Sequence, residues 1–189
     1  QEIVVPTLKA MEQEGRRYKG LLYCGIMVTS EGPKVVEYNC RFGDPETQAV
    51  LPLVQCDWYE LFRSCAVGNM TPTEWVTVPG YCVSVILASK GYPGSYEKGK
   101  VITGIEDVEH ERSNLDVYHS GTSLDNDDRF ITNGGRVLAV SAWAETLIDA
   151  ITIAYEGVAE INFEGKTFRR DIAAKGLKRL KRDTAGARH

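Results

Sequence analysis

The stretch Val35-Val36-Glu37-Tyr38-Asn39-Cys40-Arg41-Phe42-Gly43-Asp44-Pro45-Glu46-Thr47-Gln48 decides how the rest of the chain is read. It opens as a strand, because β-branched and aromatic residues dominate it and the turn-forming Glu31-Gly32-Pro33 precedes it. Side chains alternate faces along a strand, so Glu37 and Asn39 point the same way, with α-carbons about 6.5 Å apart. Two hard oxygen donors at that spacing can share a magnesium ion whose other ligands are phosphate oxygens and waters. On an exposed face the same pair binds nothing, and spacing alone does not choose. Arg41 then supplies a permanent cation, Gly43 a turn and Asp44 an N-cap. Pro45 falls at the first helical position, where its missing N–H costs nothing. Metal donors, an arginine and a fresh helix N-terminus in one short segment make an anion-handling site.

The 189 residues suffice for one domain or two small ones. Hydrophobic content of 43% and charged content of 25% are ordinary for a globular protein. No run approaches the roughly 18 apolar residues of a membrane helix, and the N-terminus lacks a signal-peptide pattern. A net charge of −4 argues against a general nucleic-acid binder. The five cysteines, Cys24, Cys40, Cys56, Cys65 and Cys82, are odd in number, sit mostly in apolar segments and show no CxxC spacing. They read as reduced core thiols of a cytoplasmic protein.

Outward from the central stretch, residues 7–14 suit a helix stopped by Gly15, and 22–28 form an almost fully apolar strand, as expected for one covered on both faces. The Glu31–Lys34 turn makes these strands a hairpin. A helix over 46–54 carries an apolar face and is interrupted by Pro52. Asp57 caps a second helix that ends at Gly68, with Trp58 and Phe62 as core residues. Residues 69–80, rich in turn formers, divide the chain into domains 1–68 and 69–189. Beyond them the pattern is β: strands at 81–88, 100–103, 115–119 and 136–142, and then a helix over 146–161. The interval 105–129 holds eight acidic residues and two arginines and reads as a solvated, mobile face. From Lys166 on there are nine lysines and arginines against two aspartates, the composition of a solvated helix face or a linker.

Arg41-Phe42-Gly43-Asp44-Pro45-Glu46-Thr47-Gln48 closely resembles the signature of the phosphoribosylamine–glycine ligase family of ATP-grasp enzymes. The resemblance implies an α+β fold: the C-terminal portion of an ATP-grasp domain followed by a small β-rich domain with a helix. It implies ATP-dependent joining of glycine to 5-phosphoribosylamine through a glycyl phosphate, with ATP and Mg2+ (or Mn2+) as cofactors. Glu37 and Asn39 then hold the metal against the ATP phosphates. Arg41 faces the glycine carboxylate or the transferred phosphoryl group, with a surface pair to Asp44 or Glu46 as its bland alternative. Asp44 orients the ribosylamine or serves only as a cap. Glu46 and Thr47 lie on the helix's first turn, where anions are favoured, although Glu46 could simply complement the dipole.

Lys90–Gly94, His119–Thr122 and Asn133–Arg136 also look like family segments, with turn chemistry and packing as the preferred reading; His119 and Ser120 are not a catalytic dyad, since strand neighbours face opposite ways. Expected partners are the small substrates, the N-terminal half of the same enzyme, which bears the adenine pocket, and a fused aminoimidazole ribonucleotide synthetase; no nucleic acid and no membrane. A different ATP-grasp carboxylate–amine ligase or carboxylase, or an inactive scaffold fragment, is the alternative.

Overall fold

The computed structural model describes residues 2–70 and 76–186, which belong to two compact units. One comprises Gln1–Thr47 with Gln55–Val76, the other Gln48–Val54 with Thr77–His189. Residues 71–75 of the turn-rich segment and 187–189 of the basic tail lie outside the described residues.

In the first unit, α1 (Val4–Gln13) ends just before Gly15, which takes φ +72°. β1 (Tyr23–Thr29) and β2 (Gly32–Asn39) pair antiparallel, Tyr23 opposite Asn39 and Thr29 opposite Gly32. The turn is tighter than expected from Glu31–Lys34, because Ser30 and Glu31 alone form the loop. The Thr29 hydroxyl donates to the Gly32 carbonyl at 2.8 Å and accepts from the Glu31 N–H at 3.2 Å. Pro33 and Lys34 therefore belong to the strand. β1 is not covered on both faces: Met27 and Val28 are 59% and 85% exposed. The hairpin is a two-stranded sheet, and both of its strands stay largely open to water.

α2 (Glu46–Val50) gives way to a 3-10 turn over Leu51–Leu53, where Pro52 prevents the α-helix from continuing to Val54. Two short strands follow, β3 (Val54–Gln55) and β4 (Val76–Thr77), with α3 (Trp58–Val67) between them in sequence. The Asp57 carboxylate accepts the Glu60 N–H at 3.0 Å and Gly68 closes α3 in the left-handed conformation, as the sequence predicts. Trp58 and Phe62 do contact, with ring centroids 5.5 Å apart, and Phe42 meets Phe62 edge-on at 5.8 Å. They are not core, however: Phe62 is 46% exposed, since an aromatic cluster on a ten-residue helix covers itself only in part.

The second unit holds the hydrophobic core. β5 (Tyr81–Ser89), β6 (Leu115–His119), β9 (Arg136–Ala144) and β10 (Lys166–Thr167) make an antiparallel sheet in the order β10-β5-β9-β6. β5 alternates, burying Val83, Val85 and Leu87, whereas β9, flanked on both sides, buries every residue from Val137 to Ala142. α5 (Leu147–Glu160) lies across the sheet through Ala150, Ala154 and Val158; its Thr146 cap accepts the Asp149 N–H. At Gly157 a β-carbon would stand 2.7 Å from Leu115 Cδ1 and 3.2 Å from Val140 Cγ1, so a larger residue there would have to push core side chains aside. Lys166 reaches back to the end of α5 and donates to the carbonyls of Val158, at 2.8 Å, and Ile161. Burial there pushes its ammonium below the ordinary lysine range.

Three further expectations are corrected. Residues 105–129 are not simply a solvated face: α4 (Ile105–Glu111) buries Ile105 and Val108, and β6 is a core strand. Their acidic residues alternate with apolar ones at helix and strand spacing, which a charge count alone overlooks. Lys100–Thr103 forms isolated bridges, Val101 to Ile131 and Thr103 to Asn162, in place of a strand. β7 (Thr122–Leu124) and β8 (Phe130–Thr132) form a separate small hairpin. The basic tail continues as α6 (Ala174–Gly186), with Leu177 and Leu180 packed on the core. The five thiols are free, but Cys40 is exposed and the rest half-buried, so none is a core thiol. Among the described residues no helix is long and apolar enough to cross a membrane.

Candidate functional site

The hairpin register brings the chemistry-bearing side chains of the first unit together. Glu37 stands opposite Gly25, where a β-carbon would come within 3.0 Å of Glu37 Cγ; the glycine leaves room for the carboxylate's stem. Asn39 Nδ2 donates to Glu37 Oε1 at 3.0 Å, so the two side chains converge on one face as strand periodicity requires. Asn39 Oδ1 and Glu37 Oε2 are left as acceptors. Among the described residues no group of three His, Cys, Asp or Glu could hold a metal by itself. The pair therefore fits a partial coordination sphere, completed by phosphate oxygens and waters, which is how Mg2+ is commonly bound.

Arg41 is exposed, and its Nη1 donates to the Phe42 carbonyl at 2.8 Å. Gly43, buried, is where the chain turns into α2. Thr47 donates both its N–H, at 3.0 Å, and its hydroxyl to the Gly43 carbonyl, so this side chain closes its own helical turn. Asp44 and Pro45, joined by a cis peptide bond, form the turn before the helix, and Glu46 is the first helical residue. Pro45 thus stands one position earlier than the sequence predicts.

Tyr23 is the member of the cluster that sequence reasoning missed. Its phenol donates to Glu46 Oε1 at 3.1 Å. That bond, then the charges of Glu46 and Glu37, raise its pKa above the ordinary tyrosine value, while the Arg41 charge acts in the opposite direction. The turn at Ser30–Glu31 alone would put Tyr23 opposite Tyr38; a register shift between Gly25 and Ile26 moves it opposite Asn39, a feature that turn rules do not reveal.

In the second unit the three polar loops pack on one another. Asn133 N–H donates to the Gly121 carbonyl at 2.7 Å, and Ser89 donates its N–H to Gly135 at 2.8 Å and its hydroxyl to Gly134 at 2.9 Å. A β-carbon on Gly121 would lie 2.6 Å from Gly134 Cα, so the glycines serve close backbone packing. His119 Nδ1 lies 2.9 Å from Thr122 Oγ1 and its ring is 4.5 Å from that of Phe130. Nearby, a cavity of about 530 Å³ is lined by Lys90, Ser95, Tyr96, Lys100 and Gly165, with Lys100 bridging Glu97 at 2.8 Å and Glu164 at 3.1 Å.

Comparison with known proteins matches both units. Residues 1–47 match the profile described as phosphoribosylglycinamide synthetase, ATP-grasp (A) domain, and residues 82–175 match phosphoribosylglycinamide synthetase, C domain. A phosphoribosylamine–glycine ligase from Caldanaerobacter subterraneus is 46% identical over 176 residues, covering 92% of this chain and 40% of that protein. The human trifunctional purine biosynthetic protein adenosine-3 is 46% identical over 90% of this chain and 17% of its own length. The solved phosphoribosylamine–glycine ligase of Thermotoga maritima superposes with a TM-score of 0.73 at 38% identity, covering 87% of this chain and 40% of that one.

The fold is that of the ATP-grasp ligases: a portion of the grasp domain followed by a small β-rich domain with a helix. The chain belongs to the phosphoribosylglycinamide synthetase family. It spans about 40% of the length of the bacterial relative and of the solved structure.

Proposed function

We propose that this chain is the metal- and substrate-bearing portion of an enzyme that joins glycine to 5-phosphoribosylamine at the expense of ATP, giving glycinamide ribonucleotide, ADP and phosphate through glycyl phosphate. The observation that supports the reading is the Glu37–Asn39 pair on one face of β2, followed directly by an exposed Arg41 and the start of α2. A glycine carboxylate and a triphosphate repel each other, so the task is to align them and to offset their charge. A bound divalent ion, Mg2+ or Mn2+, would neutralise phosphate oxygens, and Glu37 with Asn39 would hold it. Arg41, a planar and permanently charged fork, binds the glycine carboxylate or the transferred phosphoryl group. Asp44 and Glu46 border the site on the side of the ribosylamine, and Thr47 firms the helical turn whose N–H groups face anions. The remainder of the relatives' length would supply the adenine pocket, and a fused aminoimidazole ribonucleotide synthetase is consistent with the trifunctional relative. The free thiols suit a cytoplasmic setting.

The test is phosphate release from ATP by a full-length ligase carrying this segment, with glycine, fresh phosphoribosylamine and the divalent ion omitted in turn. Release that needs all three is expected. Release that proceeds without glycine, or with bicarbonate in its place, would overturn the reading.

A further inference from the structure

We propose that Gly25 is a positioning residue for the Glu37–Asn39 pair. Its missing side chain lets the Glu37 stem lie over β1, from where the carboxylate fixes the Asn39 amide and leaves two oxygens for a divalent cation. The inference rests on the metal reading of that pair and adds a residue which that reading does not use.

Residues directly opposite each other in an antiparallel pair put their side chains on the same face. Gly25 stands opposite Glu37, and Tyr23 stands opposite Asn39 on the next rung of that face. A β-carbon at residue 25 would lie 3.0 Å from Glu37 Cγ, but 3.6 Å from the Glu37 carbonyl oxygen and 3.7 Å from its nitrogen. The two backbone distances are ordinary contacts, so the conflict is with the side-chain stem alone. The stem thus fills the space that a side chain on β1 would take. From there Glu37 Oε1 accepts the hydrogen bond of Asn39 Nδ2 at 3.0 Å, which leaves Oδ1 as the free oxygen of the amide. A methyl group at residue 25 would push the stem by a few tenths of an ångström, and the carboxylate with it. The backbone does not itself need a glycine here. The register shifts between Gly25 and Ile26, and a glycine can serve such a bulge by taking the left-handed conformation. Gly25, however, is not among the glycines with positive φ, and the extra residue, Val36, is on the other strand. A glycine inside a strand otherwise weakens it relative to alanine. What this glycine serves is therefore the carboxylate beside it.

The experiment titrates Mn2+ into a full-length ligase carrying this segment, with a non-hydrolysable ATP analogue bound, and reads the free ion by electron paramagnetic resonance. Wild type, Gly25→Ala and Gly25→Val are compared, together with thermal melts of the metal-free proteins. Gly25→Ala should weaken Mn2+ binding about tenfold, the low end for residues that orient a metal ligand from behind, and Gly25→Val should weaken it further. Glycine-dependent phosphate release should recover when the divalent ion is raised in proportion. The metal-free melts should be unchanged or higher, because alanine and valine suit a strand better than glycine does. Unchanged Mn2+ affinity in both variants, or a loss matched by a lower metal-free melt, would overturn the proposal while leaving the ligase reading intact. A wild type that releases phosphate without a divalent ion would remove the metal reading and this proposal with it.

Discussion

The two units use similar residues to opposite ends. In the sheet unit β9 buries six successive residues, Val137 to Ala142, against neighbouring strands and α5. In the hairpin unit Gly43 is the one buried residue among those described, and Val28 and Met27 of an equally apolar strand are mostly exposed. The first arrangement converts apolar sequence into stability. The second leaves backbone and side chains open on a two-stranded ribbon, and it and the loop after it carry the Glu37–Asn39 pair, the Tyr23–Glu46 pair and the exposed Arg41. On the proposed ligase reading, stability and chemistry fall on different residues, so substitutions should separate them.

The sharpest contrast comes from the same kind of truncation in each unit. Leu138→Ala, at a fully buried position, should cost about 2–5 kcal/mol in chemical denaturation. Phe62→Ala should cost about half of that or less, since nearly half of its surface is already in water. Equal losses would mean that the aromatic cluster on α3 is a second core. Next in size, Lys166→Met should lose about 1–3 kcal/mol by leaving the Val158 and Ile161 carbonyls without their donor. Thermal melts that match the wild type would show that water replaces the ammonium without cost.

In the hairpin unit Arg41→Lys should leave the melting curve unchanged and lower kcat/KM for glycine about tenfold, roughly 1.4 kcal/mol, because an ammonium cannot offer a two-pronged contact. Near-normal kinetics would reduce Arg41 to a surface cation. The smallest effect concerns thiol reactivity. Burial pushes the Cys82 thiol up to about 11, so at pH 8 only about one in a thousand is thiolate. Its alkylation should lag well behind that of exposed Cys40 and should accelerate roughly tenfold for each unit of pH up to about pH 10. A Cys82 that reacts as fast as Cys40 would contradict the packing of β5.

Much of this division was legible in the sequence. The Asp57 and Thr146 caps, the Gly68 stop and the continuous apolar run of β9 follow from local rules, and the spacing of Glu37 and Asn39 follows from strand periodicity. What failed depends on partners distant in sequence. Whether an apolar strand is covered on both faces is decided by what packs on its sheet, so β1 and β9 look alike in sequence and differ in exposure. The acidic 105–129 interval hides Ile105, Val108, Leu115 and Val117 because charge counts ignore periodicity. Tyr23 entered the site only through the hairpin register, which a one-residue change in the turn would have altered.

The central claim is that the hairpin carries chemistry while adding little stability, and Glu37→Gln tests it most directly. The substitution keeps the side chain's shape and removes one charge from an exposed strand position. Turnover and melting temperature would be measured together in a full-length ligase carrying this segment. The account predicts glycine-dependent phosphate release reduced by a factor on the order of a hundred or more, with an unchanged melt. Wild-type turnover, or a loss of activity that comes with a loss of folded protein, would contradict it.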